Sequence, residues 1–345
     1  MKTSDIVNKL SFSNPVTDDE LLYLLKGDAD TEILYEEADR VRQKVYGKDV
    51  YVRGLIEISN ICKNNCLYCG IRCANKNVSR YRLTKEDILA CCKVGYEMGF
   101  RTFVLQGGED EYYTDDCLSS IIYDIKTHHP DVAVTLSLGE RSFESYKRLY
   151  DAGADRYLLR HETADDEHYS KLHPRSMKLI KRKQCLFDLK EIGYQVGSGF
   201  MVGSPFQTDE CIIKDLRFLQ ELNPDMIGIG PYLSHKDTPF KDYPNGELDL
   251  TLRLIAVLRL MFPHALIPAT TALGTLSEDG RIRALKQGAN VVMPNLSPSG
   301  VRAHYSLYDN KAYSGAEAAE SLNLLKELVR KAGYEVAISR GDVKR

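Results

Sequence analysis

Residues 51–69 read YVRGLIEISNICKNNCLYC and join two different patterns. The first eight residues, 51–58, form a short and mainly apolar run, which predicts a buried strand. Directly after this run come three cysteines, Cys62, Cys66 and Cys69, with the spacing C-x3-C-x2-C. The stretch therefore predicts a strand whose end opens into a loop that carries three thiols close together.

The alternation of a short apolar run with a helical stretch continues along most of the chain, for about eight runs. The candidate strands are residues 51–58, 101–106, 132–138, 156–160, 195–202, 226–230, 265–269 and 290–293. Strands that alternate with helices indicate parallel βα units. The eight runs span about 245 residues, close to the ~250 of a closed (β/α)8 barrel. We therefore predict an α/β fold of the TIM-barrel type, with a doubly wound open sheet as the main alternative.

The chain is expected to have one large domain with an extension at each end. Thr84 with Asp87 predicts the start of one helix between the strands, and Thr208 predicts another. A third apolar face, which ends at Gly333, comes near the end of the chain. The predicted division is a helical extension at 1–50, a barrel at 51–310, and a C-terminal helix with a tail packed on the barrel at 311–345.

Composition excludes several classes of protein. Of 345 residues, 43% are hydrophobic and 28% are charged, as in ordinary globular proteins. The 46 Lys and Arg against 49 Asp and Glu, a net charge of −3, give no support to nucleic-acid binding. Apolar runs stay well below the roughly 18 residues of a membrane span, and the polar start MKTSDIVNKL lacks a secretory signal. We expect a cytoplasmic protein without a membrane partner, whose nine cysteines are reduced thiols.

The three clustered cysteines indicate a metal centre. Thiolate sulfur suits iron–sulfur clusters and zinc. A [4Fe–4S] cluster held by three cysteines leaves one iron open, whereas a structural zinc site is normally closed by four protein ligands. Cys73 extends the run to C-x3-C-x2-C-x3-C and is an alternative fourth ligand. Two classes therefore remain open: an enzyme with an open cluster, and a zinc-stabilised binding protein.

The cysteine run, with Tyr68 before the last cysteine, resembles the signature of radical S-adenosylmethionine (SAM) enzymes. Within that superfamily the chain resembles the HydE family of [FeFe]-hydrogenase maturases. The resemblance covers about residues 50–308. Its segments are CKNNCLYCGIR (62–72), TFVLQGGED (102–110), VAVTLSLGE (132–140), GADRYLLRHET (153–163), IGIGP (227–231), IPATTALGT (267–275) and GANVVMPN (288–295).

The resemblance implies a [4Fe–4S] cluster and SAM as cofactors. Reductive cleavage of SAM would give methionine and a 5′-deoxyadenosyl radical, which acts on a small anionic or organometallic substrate during assembly of the hydrogenase cofactor. It also implies an external electron donor, such as a ferredoxin or flavodoxin, and other hydrogenase maturases as partners. Related radical SAM enzymes of the biotin synthase or methylornithine synthase type, with another substrate, are the alternative.

The resemblance also implies a set of cofactor residues. Cys62, Cys66 and Cys69 would ligate the cluster. Arg182 would hold the carboxylate of SAM, although Lys183 is the alternative cation because the spacing before it differs from the family pattern by one residue. The remaining contacts to SAM would be Tyr68, Gly107, Gly108, Glu109, Ser137, Glu162 and Met201.

A further set matches positions that line the interior of the family's barrel. Arginines in a barrel interior need a counter-charge. Arg156 and Arg160 are therefore candidates for binding an anionic substrate, with nearby acids such as Asp155 or Glu162 as the alternative partners. The complete substrate set is Arg53, Gln106, Thr135, Arg156, Arg160, Thr270, Thr271, Met293, Tyr305 and Tyr308.

Overall fold

The computed structural model describes residues 2–27, 29–311 and 318–345. Its helices are α1 Thr3–Ser11, α2 Asp18–Leu25, α3 Thr31–Tyr46, α4 Lys85–Glu97, α5 Asp115–His128, α6 Phe143–Asp151, α7 Asp166–Leu172, α8 Leu179–Ile192, α9 Asp209–Leu222, α10 Leu248–Met261, α11 Thr271–Leu276, α12 Gly280–Lys286, α13 Ser299–Arg302 and α14 Ala318–Lys331. Its strands are β1 Asp49–Val52, β2 Gly54–Ser59, β3 Thr102–Gly107, β4 Ala133–Ser137, β5 Arg156–Leu158, β6 Gln195–Ser198, β7 Met201–Val202, β8 Met226–Ile227, β9 Gly230–Pro231, β10 Val291–Val292 and β11 Glu335–Ala337.

The central feature is a six-stranded parallel sheet in the order β2-β3-β4-β5-β6-β8. Neighbouring strands follow one another along the chain with one helix between them, except that β5 and β6 are joined by α7 and α8, and β6 and β8 by β7 and α9. The strands are buried on both faces, as expected for a sheet that is covered by its own crossover helices. The predicted parallel α/β architecture is therefore confirmed.

Several predicted strands are divided in the structure. Residues 51–58 form parts of β1 and β2, which are separated at Arg53, and residues 195–202 form β6 and β7. The second division lies at Gly199, which has a φ of +155° and where a Cβ atom would lie 2.0 Å from the carbonyl oxygen of Gly228. Only glycine fits so close to a neighbouring backbone, and the chain bends there.

Backbone contacts continue beyond the two edges of this sheet. Leu266 bridges to Met226 of β8, and Pro268 bridges to Val291 of β10. β10 pairs with β1, which also pairs with β11, and Asn295 bridges to Leu55 of β2. Segment 265–269, predicted as a strand, thus makes bridge contacts without forming a named strand.

The helices at the two ends of the chain pack on this framework. Helix α10 contacts all three N-terminal helices, and α14 contacts α12 and β11. The predicted capping box of Thr84 and Asp87 begins α4, and Thr208 caps α9. Residues 312–317 of the predicted C-terminal segment lie outside the described residues. Within the described ranges, every helix is too short or too polar to cross a lipid bilayer.

The C-terminal tail covers the amino-terminal ends of the sheet strands. The carbonyl oxygen of Arg340 accepts hydrogen bonds from Thr102, at the start of β3, and from Arg156, at the start of β5. The carboxylate of Asp342 accepts from Arg156 at 2.5 Å and from Gln195 of β6 at 2.8 Å. The tail therefore occupies one end of the sheet and leaves the carboxyl ends of the strands free to form a site.

Candidate active site

A cavity of about 360 Å³ lies at the carboxyl ends of the strands. This volume is within the range of small-molecule sites, roughly 300–1,000 Å³. Loops that follow β2, β3 and β5 contribute to its wall, as does the start of α8. The opposite wall comes from segments around α11, β10 and residues 305–311. This placement is the usual one for active sites of parallel α/β proteins.

All three cysteines of the C-x3-C-x2-C run line this cavity. Their loop is held by the guanidinium of Arg80, which donates hydrogen bonds to four backbone carbonyls, those of Asn60, Ile71, Arg72 and Asn75. At Gly70 a Cβ atom would lie 2.3 Å from the carbonyl oxygen of Ser306. The loop is therefore packed closely enough to fix the direction of its thiols.

Burial raises the pKa of the cysteine thiols. The pKa of Cys69 is raised to about 12, and that of Cys66 is also raised, first by burial and then by the neighbouring cysteines. Thiolates in such a place are stable only beside positive charge. Bound metal supplies that charge, so these donors fit a metal cluster.

The fourth cysteine of the extended run lies apart from the other three, which line the cavity. In the part of the chain that the structure describes, no three His, Cys, Asp or Glu side chains converge around one point as ligands of one ion would. Cys73, the alternative zinc ligand, is exposed, and its loop is held by a hydrogen bond from its N–H to the carbonyl oxygen of Asn64. A cubane cluster held by three thiolates needs no fourth cysteine, so the position of Cys73 outside the cavity agrees with a cluster of this kind.

The Gly107–Gly108–Glu109 segment passes directly beside the cysteine loop. A Cβ atom at Gly108 would lie 2.2 Å from the carbonyl oxygen of Ile61 and 2.6 Å from Cβ of Cys62. The side chain of Glu109 accepts a hydrogen bond of 3.0 Å from the N–H of Glu140. This segment therefore forms a close backbone wall with one anchored carboxylate beside the cysteines.

Glu162 and Arg182 enter the cavity from neighbouring elements. Glu162 follows β5 with a φ of +67°, an uncommon value for a residue other than glycine. Arg182 lies on the first turn of α8, with its Nε atom 3.0 Å from the carboxylate of Glu140. Lys183 donates instead to the carbonyl oxygen of Ala164 and lies over the ring of Phe218, so of the two cations only Arg182 lines the cavity.

Several buried polar atoms in this cavity lack a hydrogen-bond partner. They are Oε2 of Glu162, Nε of Arg182, and Nε and Nη2 of Arg160. Arg160 does lie 2.9 Å from Glu162, and Nε of Arg182 lies 3.0 Å from Glu140, but neither contact has hydrogen-bond geometry. Buried polar atoms are normally satisfied, so this donor and acceptor set fits a polar ligand that carries hydroxyl and carboxylate groups, as SAM does.

The structure brings most of the predicted site residues together. Besides the three cysteines, the predicted residues that line the cavity are Tyr68, Gln106, Gly107, Gly108, Glu109, Arg160, Glu162, Arg182, Met201, Thr270, Thr271, Met293, Tyr305 and Tyr308. Ser137 ends β4 and does not line it. Its contact with SAM stays a prediction.

Three of the predicted substrate residues lie elsewhere. Arg53, Thr135 and Arg156 surround a separate small gap near the amino-terminal ends of the strands. There Arg156 forms an ion pair with Asp342 of the tail, 186 residues further along the chain. The structure therefore does not bring these three side chains to the main cavity.

Sequence reasoning missed three charged residues of the cavity, Glu57, Arg281 and Lys311. Glu57 is fully buried in β2, forms an ion pair with Lys311, and accepts a hydrogen bond of 2.7 Å from Asn295. Arg281 is partly buried against Gly274, and no hydrogen bond or ion pair involves it within the described residues. Glu57 is a charged residue within the apolar run 51–58, and this position could have indicated a functional role. No sequence pattern distinguishes Arg281.

Comparison with known proteins agrees with this site. Residues 56–219 match the family model of the radical SAM superfamily. The chain is 48% identical over 280 residues to the [FeFe] hydrogenase maturase subunit HydE of Thermotoga maritima, covering 81% of this chain and 80% of the relative. It is 33% identical over 281 residues to 3-methylornithine synthase of Methanosarcina acetivorans, covering 80% and 79%.

A solved structure shows the same likeness over nearly the whole chain. The crystal structure of methylornithine synthase (PylB) aligns with a TM-score of 0.85 and 29% identity, covering 96% of this chain and 97% of that one. The matched region of the family model includes the cysteine loop, Glu109, Glu162 and Arg182. The chain therefore belongs to the radical SAM superfamily and is an enzyme that uses a [4Fe–4S] cluster and S-adenosylmethionine.

Proposed function

We propose that this chain is a maturase of the HydE type, which acts on a small anionic or organometallic substrate in the assembly of the [FeFe]-hydrogenase active-site cluster. The observation that carries the proposal is the 48% identity to HydE over four-fifths of both chains. The charge distribution of the cavity supports it independently.

The cofactor end of the cavity is assigned to the residues around the cysteine loop. Cys62, Cys66 and Cys69 hold the cluster, and the backbone of Gly107–Glu109 receives the amino group of SAM. Glu162 accepts hydrogen bonds from ribose hydroxyls, and Arg182 pairs with the carboxylate of SAM. When bound, the cluster and SAM supply reductive cleavage of a carbon–sulfur bond and the radical chemistry that follows.

The substrate end of the cavity is assigned to the segments across from the cysteines together with Gln106 and Arg160 of the nearer wall. Arg160, Arg281 and Lys311 bring three cationic groups to its wall, and Glu57 lies beside Lys311. The guanidinium of Arg281 has no acidic partner among the described residues, and a bound anion would stabilise such a group. The groups proposed to orient the substrate through hydrogen bonds or contacts are Gln106, Thr270, Thr271, Met293, Tyr305 and Tyr308.

We infer that the strands form a closed eight-membered barrel rather than a doubly wound open sheet. The inference is supported by the bridges that run from β8 through Leu266 and Pro268 to β10, and from Asn295 to Leu55 of β2. We also retain the division into a helical extension at 1–50, a barrel at 51–310 and a C-terminal segment at 311–345. The tail covers the amino-terminal ends of the strands and so closes the end of the barrel opposite the cavity.

The proposed function implies three kinds of partner. They are a small-molecule substrate, an external electron donor such as a ferredoxin or flavodoxin, and the other maturases of the hydrogenase.

A second candidate is a synthase of the 3-methylornithine type. Its support is the 33% identity and the TM-score of 0.85 to methylornithine synthases. The sequence likeness to biotin synthases is lower, 29% over 269 residues. Both alternatives use the same cofactor end, so they differ from the leading proposal only in the substrate.

One experiment tests the shared chemistry, and a second separates the candidates. After anaerobic reconstitution, we expect about four irons and four sulfides per chain, an electron-spin spectrum that SAM changes, and formation of deoxyadenosine with dithionite. Stoichiometric zinc without iron would contradict the assignment. The loaded protein is then added to an [FeFe]-hydrogenase maturation assay that lacks only HydE, and in parallel to a mixture of amino acids analysed for 3-methylornithine. Restored hydrogenase activity supports the leading proposal, and 3-methylornithine without it supports the second.

A further inference from the structure

Residues 171–183 form the most basic stretch that flanks the site. The sequence KLHPRSMKLIKRK contains six Lys and Arg and no Asp or Glu, in a chain whose net charge is −3. Arg182 faces the cavity and Lys183 contacts Ala164. The other four basic side chains are exposed on the surface, and we call them the basic rim: Lys171, Arg175, Lys178 and Lys181.

The charge of the basic rim is only partly neutralised. Lys171 forms an ion pair of 2.7 Å with the exposed Glu167, and Lys181 lies 3.8 Å from the carboxylate of Glu140. Among the described residues, Arg175 and Lys178 take part in no ion pair. The rim therefore presents a net positive charge to the solvent.

The segment that carries the rim is in direct contact with the cysteine loop. The N–H of Leu67 donates to the carbonyl oxygen of Leu172 at 2.9 Å. The hydroxyl of Tyr68 lies 3.2 Å from Nε2 of His173, and Sδ of Met177 lies 3.8 Å from Sγ of Cys66. A protein bound to the rim would thus be separated from Cys66 by little more than this one stretch of chain.

Apolar side chains accompany the rim. Ile180 is 73% exposed and Phe206 is 46% exposed, with Nζ of Lys171 5.6 Å from the ring of Phe206. Exposed apolar side chains among basic ones are typical of protein-binding surfaces, in which charge steers the encounter and apolar area holds it.

We propose that the basic rim is the docking surface for an acidic one-electron carrier protein of the flavodoxin or ferredoxin kind. This inference rests on the proposed function, because reductive cleavage needs an electron from outside the chain. In the transfer the carrier is oxidised by one electron and the loaded site is reduced by one, with no bond made or broken. Complementary charge would raise the association rate by ~10-fold or more and make binding dependent on salt.

The test is binding of a purified flavodoxin to the reconstituted enzyme, measured calorimetrically at low and at moderate salt. For the double variant Arg175→Glu/Lys178→Glu we expect the Kd to rise at least tenfold at low salt and to lose most of its salt dependence. The Kd of the neutral double variant Arg175→Gln/Lys178→Gln should lie between that of the wild type and that of the glutamate variant. The matched control is Lys44→Glu/Lys48→Glu, which reverses two exposed charges around the end of α3 and should leave the Kd unchanged.

A second readout separates this inference from the proposed function. With dithionite as reductant, deoxyadenosine formation should be the same in the wild type and in the rim variants, whereas with flavodoxin as reductant it should fall only in the rim variants. An unchanged Kd in the rim variants, or an equal loss in the control pair, overturns the docking surface. If the wild type forms no deoxyadenosine even with dithionite, the proposed function fails, and the binding measurement still decides whether the rim docks the carrier.

Discussion

Nε2 of His161 lies 3.2 Å from the carboxylate of Asp215, and neither side chain is exposed to solvent. The same carboxylate oxygen accepts a hydrogen bond from the N–H of Ala164, and Nδ1 of His161 lies 2.9 Å from the hydroxyl of Ser198. His161 and Ala164 flank Glu162, whose φ is in the left-handed region. The pair therefore holds the unusual backbone that presents Glu162 to the cavity.

Asp215→Ala should weaken SAM binding although Asp215 is remote from the cofactor. Loss of the carboxylate leaves a buried N–H and an imidazole nitrogen without a partner, at a cost of about 1–3 kcal/mol in the free energy of unfolding. The KM for SAM should rise severalfold with little change in kcat. In Asp215→Asn the KM should stay close to that of the wild type. Asp209→Ala, at the exposed start of the same helix, is the control. An unchanged KM in Asp215→Ala would show that the pair has no positioning role.

Cys69→Ser should abolish deoxyadenosine formation, whereas Cys73→Ser should retain it. Cys69 lines the cavity, and Cys73 is exposed outside it. A cluster with two cysteine ligands is expected to be lost or incomplete, while the fold, followed by circular dichroism, should persist in both variants. If Cys73→Ser loses iron to the same extent as Cys69→Ser, the assignment of three ligands is wrong.

Gly108→Ala should lower the iron content after reconstitution, and Gly107→Ala should have a much smaller effect. A Cβ atom at Gly108 would lie 2.2 Å from Ile61 O and displace the cysteine loop, whereas at Gly107 the closest atom, Ser59 O, would be 3.3 Å away. Iron and sulfide per chain are the measurement. Equal iron contents in the two variants would contradict the close packing of this backbone against the loop.

Arg281→Met should reduce hydrogenase maturation by tenfold or more, about 1.4 kcal/mol, while leaving SAM cleavage without substrate unchanged. The reason is that Arg281 lines the substrate end of the cavity and is assigned to the negative charge of the substrate. Arg281→Lys should keep part of the activity. The control is Arg283→Met, two residues along, because Arg283 is paired with Asp249 at the surface. Equal losses in deoxyadenosine formation and in maturation would contradict a role in substrate binding.

His173 should make stability fall as the pH is lowered below neutrality. Burial, followed by the charge of Arg182, lowers the pKa of His173 to about 3, against about 6.5 in an unfolded chain. Between these values the unfolded state binds the proton and the folded state does not, so the stabilising contribution is present above pH 6.5 and is lost below it. Between pH 7.5 and 5.5 the loss is about 1.3 kcal/mol.

Urea unfolding of the iron-free chain at the two pH values measures this loss. His173→Gln should remove about that amount from the difference between pH 7.5 and 5.5, and His128→Gln, at an exposed position, should leave the difference unchanged. A difference that His173→Gln does not reduce would show that His173 is protonated in the folded chain.

Local signals in the sequence predicted the parallel strands, and the family resemblance supplied most of the residues that line the cavity around the cysteines, whose contacts with the cofactor stay a prediction. Each apolar run from 51–58 to 226–230 contains at least one strand of the central sheet. The residues around the cysteines line one cavity because each of them follows a strand or begins a helix at the same end of the sheet.

What the sequence could not predict depends on contacts between distant parts of the chain. The division of 195–202 arises from the approach of Gly199 to Gly228, which no pattern within that run reports. Arg53 and Arg156 were expected in the cavity because nothing local indicates that Arg340–Asp342 would return to them. The pairing of Glu57 with Lys311 likewise joins residues 254 positions apart.

The pairing of β1 with β11 has a consequence for how the chain reaches its native state. The two strands are separated by about 280 residues, and residues 49–51 of the first are in register with 335–337 of the second. Most other strand pairs join neighbours along the sequence and can form as the polypeptide emerges from the ribosome, whereas this one must wait until residue 337 has been synthesised. Because bringing such remote segments together is slow, its formation is expected to be a late step of folding, and nascent chains that stop before residue 335 should remain targets for chaperones.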